Sequence, residues 1–264
     1  MTTFTWNAAD YAKSSAVQQR WARELIAKMD LQGNEHLLDL GCGDGKVTAE
    51  IASVLSNGYV MGVDSSSEMI ELAKSLFTSG EYPNLSFQVV DALNLNFHNE
   101  FDVVFSNAVL HWVADHPSVL RGVSDSLKPN GKILFQMGGR GNAAQVITAM
   151  DEIRSAPEWL DYFIGFQFPY SFYGTEEYTH WLPAAGFVPL RMELIPKDMA
   201  HVDRSAFEGW LRTTWLPYIR RVPEEKHQEF LKQVVDLYLT TNPPSSDGII
   251  HVQMIRLEVE AKKE

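Results

Sequence analysis

Two hydrophobic periods take turns through the first half of the chain. Short apolar runs at 36–40, 59–63, 85–90, 101–106 and 132–137 have the length and residue types of strands. Between them, 46–55, 67–77 and 117–127 repeat apolar residues at helical spacing. Strands alternating with helices long enough to cross back over a sheet predict βαβ units and a parallel sheet. The second helix is expected to open at Ser65 with Glu68 three residues on, a capping-box pattern. Ahead of the first strand, Val17, Trp21, Leu25 and Met29 mark one face of a helix over 16–29.

After Met137 this rhythm breaks. Eight aromatic residues fall among the fifteen of 159–173, and a helical run over 175–185 stops at Gly186. The segments 187–195 and 249–259 alternate as half-buried strands do, with helices expected at 203–219 and 224–239. The fold class that follows is α/β, a doubly wound, mostly parallel sheet of seven strands.

The first strand runs straight into Gly41-Cys42-Gly43-Asp44-Gly45 and then a helix. Glycines at that turn allow positive φ and let backbone approach a ligand that a β-carbon would exclude. Asp64 closes the second strand about twenty residues on, where an acid accepts both ribose hydroxyls of an adenosyl ligand. A dinucleotide fingerprint wants a third glycine for close packing beside a pyrophosphate, and Lys46 stands there instead. S-adenosylmethionine has no pyrophosphate. Its ammonium wants acceptors such as Asp39 and the Gly41 carbonyl, and Asp91 with the Ala92 amide is placed for the adenine ring.

These residues resemble the class I methyltransferases: Asp39-Leu-Gly-Cys-Gly-Asp-Gly45, Asp64, Asp91-Ala92, Phe101-Asp-Val-Val-Phe-Ser-Asn107 and Leu127-Lys-Pro-Asn-Gly131. The likeness covers residues 36 to 137. Within that class the chain is similar to trans-aconitate methyltransferases and, more loosely, to juvenile hormone acid methyltransferases. The early Trp6-Asn7 and Tyr11, Ser106-Asn-Ala-Val-Leu-His-Trp112, Phe135-Gln-Met137 and the stretch from Trp210 to Tyr218 carry that likeness. Asp44 replaces a frequent proline, and His111 stands where the trans-aconitate enzymes are expected to have glutamine.

The resemblance implies a single methyltransferase domain over 1–264, with a cofactor-binding core at 30–137 and an antiparallel last strand. Insertions at 138–186 and 197–248 are then expected to form a helical lid that binds the substrate. S-adenosyl-L-methionine is the implied cofactor, contacted by Tyr11, Gln18, Asp39, Gly41, Cys42, Gly43, Asp64, Ser65, Met69, Asp91, Ala92 and Asn107. His111 and Trp112, past the fourth strand, are the catalytic candidates. Histidine there serves as a general base for a hydroxyl acceptor or hydrogen-bonds a carboxylate that is already ionised. Trp6, Arg140, Trp210, Arg212, Trp215 and Tyr218 are the substrate candidates, the arginines because their fork fits a carboxylate. Arg220 and Arg221 are weaker members of that set. Cys42 has no nucleophilic task, since methyl transfer from a sulfonium needs no covalent enzyme intermediate. The expected reaction is O-methylation of a small carboxylic acid. A non-catalytic S-adenosylmethionine-binding protein and an NAD(P)-dependent oxidoreductase remain as alternatives.

Composition narrows the partners. The 264 residues carry 34 acidic against 22 basic side chains, a formal charge of −12, whose field repels nucleic acid and anionic membranes. A local arginine still attracts an anionic small molecule, because the distant field is screened over roughly 8 Å at physiological salt. The single cysteine, Cys42, rules out an internal disulfide. No signal segment or long apolar window is found, so a cytoplasmic location and a monomer or weak homo-oligomer are expected. The eight histidines show no metal-ligand spacing, and no metal is expected.

Overall fold

The computed structural model describes residues 16–264, with side chains from Arg20 onward. Trp6, Tyr11 and the side chain of Gln18 lie outside the described residues. The chain divides into two compact units. One takes in the chain through Arg140, Tyr170–Ile195 and Arg256–Glu264; the other is Gly141–Pro169 with Pro196–Ile255.

The first unit holds α1 (Ala16–Ile26), β1 (His36–Leu40), α2 (Lys46–Val54), β2 (Tyr59–Asp64), α3 (Ser67–Leu76), β3 (Leu85–Val89) and β4 (Phe101–Asn107). It continues with α4 (His116–Ser126), β5 (Leu127–Gly138) and α6 (Thr175–Ala184). Strands β6 (Phe187–His201) and β7 (Ile250–Lys263) contribute residues to both units. The seven-stranded sheet has the order β3-β2-β1-β4-β5-β7-β6. Pairs among β1 to β5 are parallel, and β7 runs antiparallel to β5.

Strand β1 shows why the centre is buried on both faces. Leu38 and Leu40 join a cluster with Val104, Ile133 and Phe135, while Leu37 joins the opposite cluster with Phe105 and Leu134. Each fully buried leucine contributes about 2 kcal/mol, so the short run His36–Leu40 holds its place at the middle. The chain winds from β1 through β2 to β3, then returns to the other side of β1 as β4. That reversal opens a crevice at the carboxyl ends of β1 and β4, the usual ligand site of such sheets.

Local chemistry moves several expected boundaries. The α3 cap is Ser66, not Ser65: its hydroxyl accepts from the Met69 amide at 3.3 Å. Strand β5 starts earlier than expected, because Leu127 pairs with Phe101 before a register jump to Val103↔Lys132. The extra residues in that jump form an irregularity within the strand, where Asn130 takes φ +66°.

The second unit contains α5 (Ala144–Arg154), α7 (Arg204–Thr214), α8 (Leu216–Ile219) and α9 (His227–Thr241). Helix α5 was not expected. It starts after Ala143 at φ +50° with no side-chain cap, so it lacks the usual opening signal. The single helix expected over 203–219 is broken at Trp215, since Pro217 lacks an N–H and cannot continue α7. Aromatic side chains fill this unit's core: Phe163 stacks on Phe230 at 5.6 Å, and the Trp159 indole donates to Gln233 at 2.8 Å. No helix among the described residues is long and apolar enough to cross a membrane.

Candidate active site

The turn after β1 uses all three glycines in the left-handed region, Gly41 at φ +82°, Gly43 at +54° and Gly45 at +79°. Their surroundings differ. A β-carbon on Gly41 would lie 2.3 Å from a Val109 methyl, whereas one on Gly43 would meet nothing within 4 Å. Gly41 is therefore glycine for packing, and Gly43 presents open backbone. The turn is tied to β2 by the Gly41 and Cys42 amides, which donate to the Val63 carbonyl at 2.7 and 3.0 Å.

Asp64 sits at the end of β2 with one carboxylate oxygen accepting from the Gly43 amide at 3.1 Å and the other from Ser66 at 2.9 Å. Each oxygen keeps a lone pair for a further donor. Burial raises the Asp64 carboxyl, and backbone amides of Ser66, Gly43 and Ser65 oppose the rise. Asp39 is 2% exposed and accepts from the Thr48 hydroxyl at 2.7 Å. Burial pushes it up to about 7, Thr48 works against this, and the like charge of Asp64 adds to it. The Cys42 thiol is pushed well up by burial and by Asp39 and Asp64, so it stays protonated.

Past the third strand, Asp91 accepts from the Leu93 amide at 2.9 Å and opens the turn Ala92–Asn94. Met69, in the first turn of α3, is buried, and Ser65 is exposed. At the end of β4, the Asn107 side-chain oxygen is buried with no hydrogen-bond partner among the described residues. Asp39, Asn107 and Gln136 fall on one face, through the pairings Asp39↔Phe105, Phe105↔Leu134 and Asn107↔Gln136.

His111 lies in the turn Leu110–Trp112 after β4. Its ring centroid is 5.7 Å from that of Trp112, 6.1 Å from Tyr170 and 6.0 Å from Phe172. The Gly138 amide donates to His111 Nδ1 at 3.4 Å, which leaves the proton on Nε2. Burial, then the positive charge of Arg256, then His116 hold its pKa well below the usual histidine value. The imidazole is a neutral donor here. The aromatic run at 159–173 thus splits: Trp159 and Phe163 are core of the second unit, while Tyr170 and Phe172 flank His111 in the first.

The substrate candidates are dispersed. Arg140 is engaged with Glu177 at 2.5 Å and lies near Glu176. Trp210, Trp215 and Tyr218 are core residues of the second unit, at 4%, 2% and 0% exposure, and Arg212 is exposed. Arg221 donates to the carbonyls of Tyr162 and Ile164 at 3.0 and 2.6 Å, and Arg220 is exposed. Two features of the site escaped the sequence reading. Arg256, 4% exposed, is one; the ion cluster in which Glu258 meets Lys28 and Arg191, each at 2.6 Å, is the other. A signal for Arg256 was present, since it continues the inward series Ile250, Val252, Met254 along β7.

Comparison with known proteins decides the class. Residues 31–186 match the methyltransferase domain family. The chain belongs to that family. An uncharacterized methyltransferase of Schizosaccharomyces pombe is 30% identical over 263 residues, covering 98% of each chain. Trans-aconitate 2-methyltransferase of Rhizobium etli is 28% identical over 262 residues, 98% of this chain and 99% of that one. The fold is that of geranyl diphosphate methyltransferase, whose complex with S-adenosylmethionine superposes with a TM-score of 0.56 at 16% identity, covering 93% and 85% of the two chains. Membership excludes the oxidoreductase alternative.

The chain is an S-adenosylmethionine-dependent methyltransferase, and its residues fit that cofactor. A buried carboxylate whose charged neighbour has the same sign, a buried amide oxygen lacking a donor and an open glycine backbone together form a site short of donors and positive charge. An ammonium and a sulfonium supply both. No cluster of three potential metal ligands occurs among the described residues.

Proposed function

We propose that this methyltransferase O-methylates a carboxylate of a small-molecule acceptor. The observation that carries the reading is the state of His111, a neutral imidazole with Nδ1 occupied by the Gly138 amide and Nε2–H free to donate. A base with a depressed pKa is poor at taking a proton from a hydroxyl. A carboxylate is already ionised and needs only to be oriented, which an Nε2–H donor does. Glutamine, expected at this position in trans-aconitate enzymes, is likewise a neutral donor. The 28% identity to the Rhizobium etli trans-aconitate 2-methyltransferase across nearly the whole chain supports the same acceptor class.

When bound, S-adenosylmethionine supplies an electrophilic methyl group on a positive sulfur. The chain's own residues bind and align: Asp64 takes the ribose hydroxyls, Asp39 and Asn107 face the ammonium, and Asp91 with Ala92 flanks the adenine. Trp112, Tyr170 and Phe172 form an apolar wall beside His111 that keeps water from the reacting oxygen.

Turnover of methyl-labelled S-adenosylmethionine against a panel of carboxylic acids, phenols and amines tests this. The label is expected in products that mild alkali releases as methanol, the behaviour of methyl esters. Transfer confined to phenols or amines would refute the carboxylate reading, and binding without transfer to any acceptor would return the non-catalytic alternative.

A further inference from the structure

The second unit has a cavity of its own, about 310 Å³ in volume, a size that takes a small molecule. All the residues that line it belong to that unit, whereas the residues matched to the cofactor fall in the first. Four elements meet there. Gln145 comes from the first turn of α5, Asp198 from β6, Tyr238 and Asn242 from the end of α9, and His251 and Gln253 from β7. Their hydrogen bonds leave acceptors over. Asp198 takes His251 Nδ1–H on one oxygen at 2.8 Å and keeps the other. Asn242 spends Nδ2 on the Tyr238 carbonyl at 3.2 Å and the Thr241 hydroxyl at 2.8 Å, which leaves Oδ1. Gln145 donates Nε2 to Gln253 Oε1 at 3.4 Å, which leaves its own Oε1. Lys197 also lines the cavity and is already engaged. The local field is negative: Asp198 adds to burial in raising the Tyr238 phenol to about 12. Helix α9 ends here with no basic residue in its last turn, so its carbonyl end, which favours a cation, has none of its own.

We propose that this cavity is a second ligand site, one that binds a small primary ammonium ion. The spare oxygens of Asp198, Asn242 and Gln145 equal in number the three N–H donors of such a group. Asp198 supplies the counter-charge, and Pro196 and the Tyr238 ring supply apolar surface for a short carbon chain. A quaternary ammonium has the charge without the N–H groups, and an alcohol has one donor and no charge. The site is separate from methyl transfer, so it stands whatever the acceptor is.

Calorimetry with butylammonium chloride tests this, on protein saturated with S-adenosylhomocysteine so that the cofactor's own ammonium site is filled. Butyltrimethylammonium and 1-butanol are the controls, and wild type is expected to bind both at least about 10-fold more weakly than butylammonium. Asp198→Asn removes the counter-charge and is expected to lose about 10-fold or more in butylammonium affinity, the scale of one charged hydrogen bond. Gln253→Glu still accepts from Gln145 and adds a charge to the wall; it is expected to tighten butylammonium binding by about 3-fold, and it serves if the asparagine variant does not fold. Both variants are expected to keep the wild-type affinity for S-adenosylhomocysteine. Absence of butylammonium binding to wild type overturns the proposal. Equal affinity for butylammonium and its trimethyl analogue overturns it too, and so does butylammonium affinity that neither variant changes.

Discussion

Asp39→Asn is expected to make the cofactor-free protein more stable and the cofactor-binding protein worse. In the folded chain the Asp39 carboxyl titrates at about 7 against an ordinary value of 3.8, with burial as the main cause. Between those values the folded state holds a proton that the unfolded chain has released. Folding stability from this group therefore falls as pH rises from about 4 to 7, and the full loss persists above 7. A lift of about three units at about 1.4 kcal/mol each makes that loss about 4 kcal/mol. Asparagine carries no charge to desolvate, and its carbonyl oxygen still accepts from Thr48.

The assay is chemical unfolding of cofactor-free wild type and Asp39→Asn at pH 5 and pH 8. The variant's advantage is expected to grow by about 3 kcal/mol between the two, most of the full loss. Binding reverses the sign. A cationic ligand prefers the ionised carboxylate, so S-adenosylmethionine affinity of wild type rises with pH through about 7, and the variant's stays low and flat. An advantage that does not change with pH would refute the burial argument. Wild-type affinity independent of pH between 6 and 8 would show that Asp39 does not face the positive end of the cofactor.

The glycine turn separates packing from ligand contact. Gly41→Ala forces a methyl onto Val109 as well as a strained φ, and a loss of about 3 kcal/mol or more in denaturant unfolding is expected. Gly43→Ala meets no protein atom and costs only about 1–2 kcal/mol of strain, yet is expected to abolish S-adenosylhomocysteine binding by calorimetry; retained binding would contradict the open-backbone role. At His111, glutamine is expected to keep kcat/KM within about 10-fold and alanine to lose about 100-fold, the scale of one missing donor. Because the imidazole is held neutral, the wild-type pH profile should carry no limb near the ordinary histidine value; such a limb, absent from His111→Gln, would restore the general-base role.

What was readable in the sequence was local. The strand His36–Leu40, the three glycines and Asp64 lie within thirty residues, and each imposes its own constraint on backbone or burial. The same locality explains the misses. Helix α5 starts from an alanine at positive φ with no polar cap, so its buried Val146, Ala149 and Met150 had no boundary to attach to. At Trp210, Trp215 and Tyr218 the closely spaced aromatics lie in the core of a unit. Arg140 follows β5 directly and is engaged by glutamates at the start of α6, a pairing the local sequence did not reveal.

Arg256 and Glu258 depend on sheet register, which brings residues far apart in the chain together: Gln136 faces Glu258, and Lys28 reaches it across 230 positions. Burial raises the Glu258 carboxyl, but Lys28, Arg191 and Gln136 overcome this and hold it ionised. That register also gives the site its polarity. Asp39 on β1 and Arg256 on β7 occupy the same face, three strands apart and offset by four residues along the strands, about 20 Å in all by strand spacing and rise. Asn107 and Gln136 on β4 and β5 lie between, and the ionised Glu258 on β7 faces Gln136 on this same face. Two acids, Asp39 and Glu258, and the guanidinium of Arg256 thus share one face assembled from β1 and β7, and no single stretch of the sequence holds them together.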